Sequence, residues 1–345
     1  MKTVDLRSDT LTKPTKAMRE YMINAQVGDD VFAEDPTINA LQEKMMELTG
    51  KEAALFVPSG TMANQIAVNT HTNPGNEVIC EERCHIYNYE AGAPGMLSGV
   101  QLHPIPGQYG IMELEDIENA IRPPDHHFAQ TALICLENTH NRWGGTVYPI
   151  DEIKKVSKFA AAHSVKLHLD GARLWNASVA TGISLKEYAS YFDSVSLCFS
   201  KGLGAPVGSI LTGDRDFINR AHYYRKVYGG GMRQAGILAA AAIYAIDNQW
   251  QRMADDHKRA RRLAEAFNAH EGFVVNLKTV QTNIVIIDVS LTGMTAHEVA
   301  LDLEMNGIKM IPFSKTRIRA VTYLGISDDD IEYTIETINK IFKKG

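Results

Sequence analysis

Cysteine is scarce in this sequence, and Cys80, Cys84, Cys135 and Cys198 show no CxxC spacing. That argues against a ribbon-type metal centre and a disulfide-dense secreted scaffold, and leaves buried free thiols in a reducing compartment. Long hydrophobic runs are missing too. The longest, Ala235 to Ile246, is 12 residues and includes Gly236; it suits a core helix rather than a bilayer span. Met1 to Asp9 contain no apolar block of the signal-peptide kind, so a cytoplasmic protein is expected. No basic tract occurs, and 35 Lys and Arg against 41 Asp and Glu leave a formal net charge of −6. Neither nucleic acid nor a membrane is an expected partner.

What is present is ordinary for a water-soluble enzyme-sized chain: 345 residues, 45% hydrophobic and 22% charged. That length exceeds one small core, so a large domain and a smaller one are expected. Residues 1–250, a short N-terminal segment included, alternate apolar strand-like runs with helical stretches. That texture predicts an α/β domain with a largely parallel sheet and helices on both faces. Residues 251–345 change to a βαββα pattern, read as a smaller α+β domain. In the first part, helices are expected from Pro14 to about Gln26 and from a Thr37 cap to Gly50.

Two strand ends carry the chemistry. The run Ser194 to Phe199 is apolar and stops on Lys201, followed by Gly202, Gly204 and Pro206. Burial disfavours a charged amine, and an uncharged amine can attack a carbonyl to form a Schiff base. Taken alone, a lysine snorkelling from a strand end is the commoner reading. The run Val165 to Leu169 ends on Asp170, with Arg173 three residues on. Lysine to form an imine, a carboxylate for a pyridinium nitrogen and arginine for a ring phenolate together suit a pyridoxal phosphate (PLP) site.

Other segments gain meaning beside that pair. Ser59, Gly60 and Thr61 open a helix after the strand Ala53–Val57. They are an ordinary cap or, at free backbone N–H groups, a phosphate seat. His85 stands at a strand-to-helix turn, as a structural cap, a stacking ring or a base. Gly229 to Gly231, followed by Arg233, is a hinge or a second phosphate-facing loop. His126 and His127 invite a metal reading, but no third ligand at useful spacing is expected, and no metal is assigned. Ser59, His85, Asp170 and Lys201 fall where ligands sit in open α/β sheets, beyond the carboxyl ends of the strands.

Together, the stretches DLRSDTLTKPT, VGDDVFAEDPT, FVPSGTMANQ, LENTHN, HLDGAR, SKGLGAPVGS and GGGMRQ resemble the low-specificity L-threonine aldolases over nearly the whole chain. These are PLP-dependent enzymes of fold type I in the β-eliminating-lyase group. The resemblance implies that Lys201 forms the Schiff base, Asp170 pairs with the ring nitrogen and Arg173 meets the phenolate. It implies that Ser59, Gly60 and Thr61 hold the phosphate with Arg233 of the partner subunit, in a dimer or tetramer with shared sites. His85 would stack on the ring, and His127 would lie near the substrate hydroxyl. Ser8, Tyr89, Arg173 and Arg319 are the expected substrate-binding residues, with Arg317 competing for the carboxylate.

Two departures bear on substrate preference: Phe32 and Ala33 replace a common Tyr-Gly, and Tyr323 replaces a common His. The implied activity is cleavage of an L-β-hydroxy-α-amino acid to glycine and an aldehyde, with His85, His127 or a water as base. β-Elimination, transamination and racemisation are the rival reactions on this cofactor, and a binding module without catalysis is the rival of another class.

Overall fold

The computed structural model describes residues 2–342. After β1 (Val4–Asp5), seven strands build the central sheet: β2 (Ala53–Val57), β3 (Glu77–Glu81), β4 (Gln101–Ile105), β5 (Thr131–Glu137), β6 (Lys166–Gly171), β7 (Ser194–Cys198) and β8 (Ser209–Gly213). Their order is β2-β8-β7-β6-β5-β3-β4. Only β8 runs antiparallel to its neighbours, β7 and β2. β2, β3, β7 and β8 are buried along their whole length. Helices cover both faces, so these strands read as continuous apolar runs rather than as alternating ones. Six strands thus point the same way, and Val57, Glu81, Glu137, Asp170 and Cys198 gather at or beside one edge of the sheet. The register places Asp170 between Glu137 of β5 and Ser196 of β7.

A second sheet is antiparallel, β11 (Ile311–Pro312), β12 (Arg317–Val321) and β9 (Ile284–Asp288) in that order, and β10 (Ile308–Lys309) pairs with β1 in parallel. Val4 and Leu6 pack into this second core beside Val285, Ile287 and Ile318. Here the sequence reading needs correction: it attached the N-terminal segment to the larger domain. Two apolar residues alternating with polar ones are enough to dock a strip on whichever core offers a free strand edge, and β10 offers it. The helix Met253–Ala269 starts in the first core at Met253 and continues in the second from Ala260.

Two helix starts also differ from expectation. The first helix is shorter, Lys16–Ile23, capped by the Thr15 hydroxyl on the Met18 N–H. The next, Pro36–Thr49, is capped by Asp35 rather than Thr37, with one carboxylate oxygen accepting from the N–H groups of Thr37 and Ile38. Pro36 fits the first turn because its missing N–H is not needed there. The other Asp35 oxygen accepts from Gly236 N–H at 2.8 Å. A Cβ on Gly236 would lie 2.4 Å from the carboxylate, so glycine is required. Among the described residues no helix is long and apolar enough to cross a membrane.

Candidate active site

Asp170 ends the run Leu167 to Leu169 on β6 and is 2% exposed. Burial alone would raise its pKa. The charges of His85 and Lys201, the Ala172 N–H and the Asn64 amide outweigh burial and hold the carboxyl below its ordinary value. Asn64, on the helix Gly60–His71, donates to Asp170 Oδ2 at 2.9 Å and to Glu90 Oε1 at 2.8 Å. A carboxylate held ionised in a dry pocket is what a protonated ring nitrogen needs as a partner.

His85 opens the short helix His85–Asn88 just past β3. Its backbone N–H donates to Glu137 Oε2 at 2.7 Å, and its ring Nδ1 faces Glu90 Oε1 at 2.8 Å. Glu90 also accepts from Gln65 Nε2. Burial would lower the imidazole's pKa. The Glu90 hydrogen bond and the charges of Asp170, Glu90 and Glu137 more than offset this and raise it above 6.5. A ring nitrogen of His85 and one carboxylate oxygen each of Glu90 and Asp170 lie within 4.8 Å of one another. The imidazole therefore stands beside Asp170 with Nε2 as the ring nitrogen not committed to Glu90.

Lys201 follows β7 by three residues and is partly exposed. Its charge acts on both Asp170 and Asp9. Arg173 is buried, with Nε and Nη2 bonded to Asp9 Oδ2 and Oδ1 at 2.7 and 2.8 Å. Arg319 is also buried, donating to Asn141 Oδ1 at 2.9 Å and to the Arg7 carbonyl at 3.0 Å. Its Nε has no partner. Burial, then the charge of Arg173, push its pKa down to about 10. Two buried guanidiniums that repel each other, one with an unused N–H, have the chemistry to take a carboxylate. Arg317 is half exposed and faces Asp288 at 3.5 Å on the surface.

Ser59 caps the helix Gly60–His71 by accepting from Met62 N–H, leaving Gly60 and Thr61 at its first turn. Nearby, the Ser209 hydroxyl is buried without a partner, 3.6 Å from where a Gly60 Cβ would stand. Gly230 presses on Met62 so closely that a Cβ would meet its sulfur at 2.3 Å. The triple-glycine loop therefore packs on the helix that Ser59 caps. Arg233, beyond it, is exposed and pairs with Asp29 of its own chain at 3.0 Å.

Not every expected residue joins this cluster. His127 is exposed on the loop before β5, bonded to Asp125 at 2.7 Å. That loop lies at the amino end of β5, and the site lies at the carboxyl end. Seven residues of strand, about 20 Å, separate the two edges, so within one chain His127 is not a site residue. Asp125 also places a carboxylate beside both His126 and His127, the third ligand type that the spacing argument overlooked, in an exposed cluster. Ser8 caps the short turn Asp9–Leu11 and hydrogen-bonds Thr10. Tyr89 is 47% exposed and lies 5.6 Å from the His85 ring. Tyr323 turns its hydroxyl to the Asp5 carbonyl at 3.0 Å, and Phe32 is exposed. Sequence reasoning missed Asp9, Asn64, Glu90, Glu137 and Asn141. Glu137 alone carried a signal, an acid at the end of the apolar run Ala132 to Leu136, as Asp170 does.

A family model described as Beta-eliminating lyase matches residues 5–290. The low-specificity L-threonine aldolase 1 of Arabidopsis thaliana is 47% identical over 340 residues, 97% of this chain and 95% of its own. The low specificity L-threonine aldolase of Escherichia coli K12 is 44% identical over 329 residues, 95% and 96% of the two chains. Among solved structures, a threonine aldolase of Leishmania major superposes with a TM-score of 0.85 at 20% identity, covering 98% of this chain and 99% of that one.

Proposed function

The chain belongs to the β-eliminating lyase family, and from that membership we propose that it is a PLP-dependent L-threonine aldolase. Its fold is the type I fold of PLP-dependent enzymes that the sequence led us to expect. The substrates are L-threonine, L-allo-threonine and related L-β-hydroxy-α-amino acids, and the products are glycine and an aldehyde.

The residues present fit the cofactor. A dry ionised Asp170 suits a pyridinium, and the unpartnered Ser209 hydroxyl beside Gly60 suits a phosphate at a helix start. Lys201 would hold the aldehyde carbon, Ser59, Gly60 and Thr61 the phosphate, and Asp170 the ring nitrogen. Arg173 has its Nη1 edge left for the phenolate or the substrate, and His85 would stack on the ring. Bound there, the cofactor supplies the electron sink that takes up the pair released when Cα–Cβ breaks.

The chain's own side chains supply the rest. The observation that carries the reading is the buried Arg173–Arg319 pair with Arg319 Nε unpartnered, linked to Asp170 through Lys201, whose charge acts on both Asp170 and the Asp9 partner of Arg173. A carboxylate clamped there would orient the bond to be broken. His85 accepts the β-hydroxyl proton at Nε2, directly or through a water, while Glu90 holds Nδ1–H and stabilises the imidazolium. The raised pKa makes His85 the stronger base for that transfer.

Arg233, exposed on the loop that packs on the helix Gly60–His71, would complete the site of a second copy. The working form proposed is therefore a homo-oligomer, dimer or tetramer, whose role is threonine breakdown and glycine supply. Four free, buried cysteines suit a reducing compartment, and the cytoplasm is the one proposed.

Incubation of the holoenzyme with L-threonine and L-allo-threonine tests the reading. Glycine and acetaldehyde in equal amounts support it. 2-Oxobutanoate with ammonia would mean elimination, and a keto acid without aldehyde would mean transamination.

A further inference from the structure

We propose that His168, which never touches the substrate, is the positioning residue that holds Asn64 in the one orientation able to brace both site carboxylates. The proposal rests on reading Asp170 as the partner of the cofactor's ring nitrogen.

Asn64 Nδ2 lies 2.9 Å from Asp170 Oδ2 and 2.8 Å from Glu90 Oε1. Carboxylates accept and do not donate, so both contacts are made by the NH2 group, and its two hydrogens are both used. Asn64 Oδ1 is therefore the acceptor and needs donors. It has two, Ser196 Oγ at 2.8 Å and His168 Nε2 at 3.2 Å. Hence His168 carries its proton on Nε2.

With Nε2–H fixed, a neutral His168 ring presents a lone pair at Nδ1, so the Ser194 hydroxyl must donate to it at 2.8 Å. Ser194 has then spent its proton, and its oxygen accepts from His71 Nε2 at 2.7 Å. His71 stacks on Phe217 at 4.4 Å, which holds the outer end of the wire still. His168 is fully buried and shares the face of β6 that carries Asp170, two residues on. Burial pushes its pKa down to about 4, so the neutral ring persists where the enzyme works.

An Asn64 amide turned over would aim its carbonyl oxygen at two carboxylates and its NH2 at two donors. The His168 N–H and the Ser196 hydroxyl make that state costly. Removing the His168 donor leaves one of the two restraints, and Asp170 and Glu90 then lose a fixed donor each.

Ring-nitrogen NMR of 15N-histidine-labelled protein, with and without cofactor, tests the assignment. The His168 signals are identified by their disappearance in His168→Gln. The expected result is a protonated Nε2 and an unprotonated Nδ1; the opposite tautomer overturns the proposal. A second measurement is the cofactor dissociation constant. Losing one buried hydrogen bond in His168→Leu should raise it about tenfold, and His168→Gln, which keeps a donor at the Nε2 position, should stay within about threefold of wild type. Equal weakening in both variants, or none in His168→Leu, contradicts the proposal. If His168→Leu does not fold, the tautomer and His168→Gln still decide. A wild-type protein that binds no cofactor sinks the functional reading instead, and the cofactor-free tautomer then judges this proposal alone.

Discussion

Asp9 and Arg173, 164 positions apart in the chain, meet in a bidentate ion pair sealed from solvent, at 2.7 and 2.8 Å. Asn283 adds a third contact to Asp9 Oδ2 at 3.3 Å. The pair is a seam. Val4 and Leu6 anchor the N-terminal strip in the second core, while Arg173 follows β6 of the central sheet, so one carboxylate ties the two cores together beside Lys201.

Asp9→Asn should therefore lower stability and displace Arg173 together. Breaking a buried pair from one side costs about 3–5 kcal/mol, because the remaining charge is left unpaired. Burial would raise the Asp9 pKa, but Arg173 first, then Lys201 and Asn283, bring it down to about 2. With the folded value below the ordinary 3.8, the pair's contribution is complete above that pH and is lost as the pH falls towards 2. Urea unfolding of wild type and variant across this range checks it; parallel curves would place the stabilisation elsewhere.

Arg319→Lys should raise KM for L-threonine about 10- to 100-fold, because a forked guanidinium holds a carboxylate in two charge-assisted bonds and an ammonium does not. Arg317→Lys should leave KM close to wild type, since Arg317 is half exposed and faces Asp288. Steady-state kinetics on the two variants decide; a reversed pattern moves the carboxylate site two residues along β12.

Glu90→Gln should shift the acid limb of the kcat/KM profile. His85 must be neutral to accept a proton, so activity falls as the pH drops through its raised pKa. Without the Glu90 charge the imidazolium loses a stabilising partner, and the limb should move to lower pH. Asp170 and Glu137 remain and keep part of the elevation. An unmoved limb would mean that His85 is not the titrating base.

Asp170→Asn should keep the fold, because Asn64 can still meet the side chain, but cut turnover about 100-fold or more by removing the charge that stabilises a protonated ring. Circular dichroism and kcat measured on one preparation separate the two effects. Turnover near that of wild type would detach the electron sink from this carboxylate.

The strands were legible because the central sheet is covered on both faces, and burial on both sides writes apolar runs that stop at polar strand ends. Lys201 and Asp170 stood out for that reason. Asn64 and Glu90 did not: each is buried by segments far away in sequence, so nothing near them marks them as buried. Asp9 hid in a polar strip that reads like a tail until Arg173 is seen to meet it. The distance of His127 from its own chain's site has another cause. A sequence shows that a histidine lies in a loop beside a strand, but the two edges of a parallel sheet are told apart only by strand direction, and His127 precedes β5 whereas Glu137 ends it.

Borohydride reduction of the holoenzyme, followed by proteolysis and mass mapping, tests the central claim most directly, because it fixes the Schiff base to one nitrogen. The account predicts the reduced cofactor on the peptide that contains Lys201, and loss of the visible Schiff-base absorbance in a folded Lys201→Ala variant. A label on any other lysine, or a Lys201→Ala variant that keeps the absorbance, would contradict it.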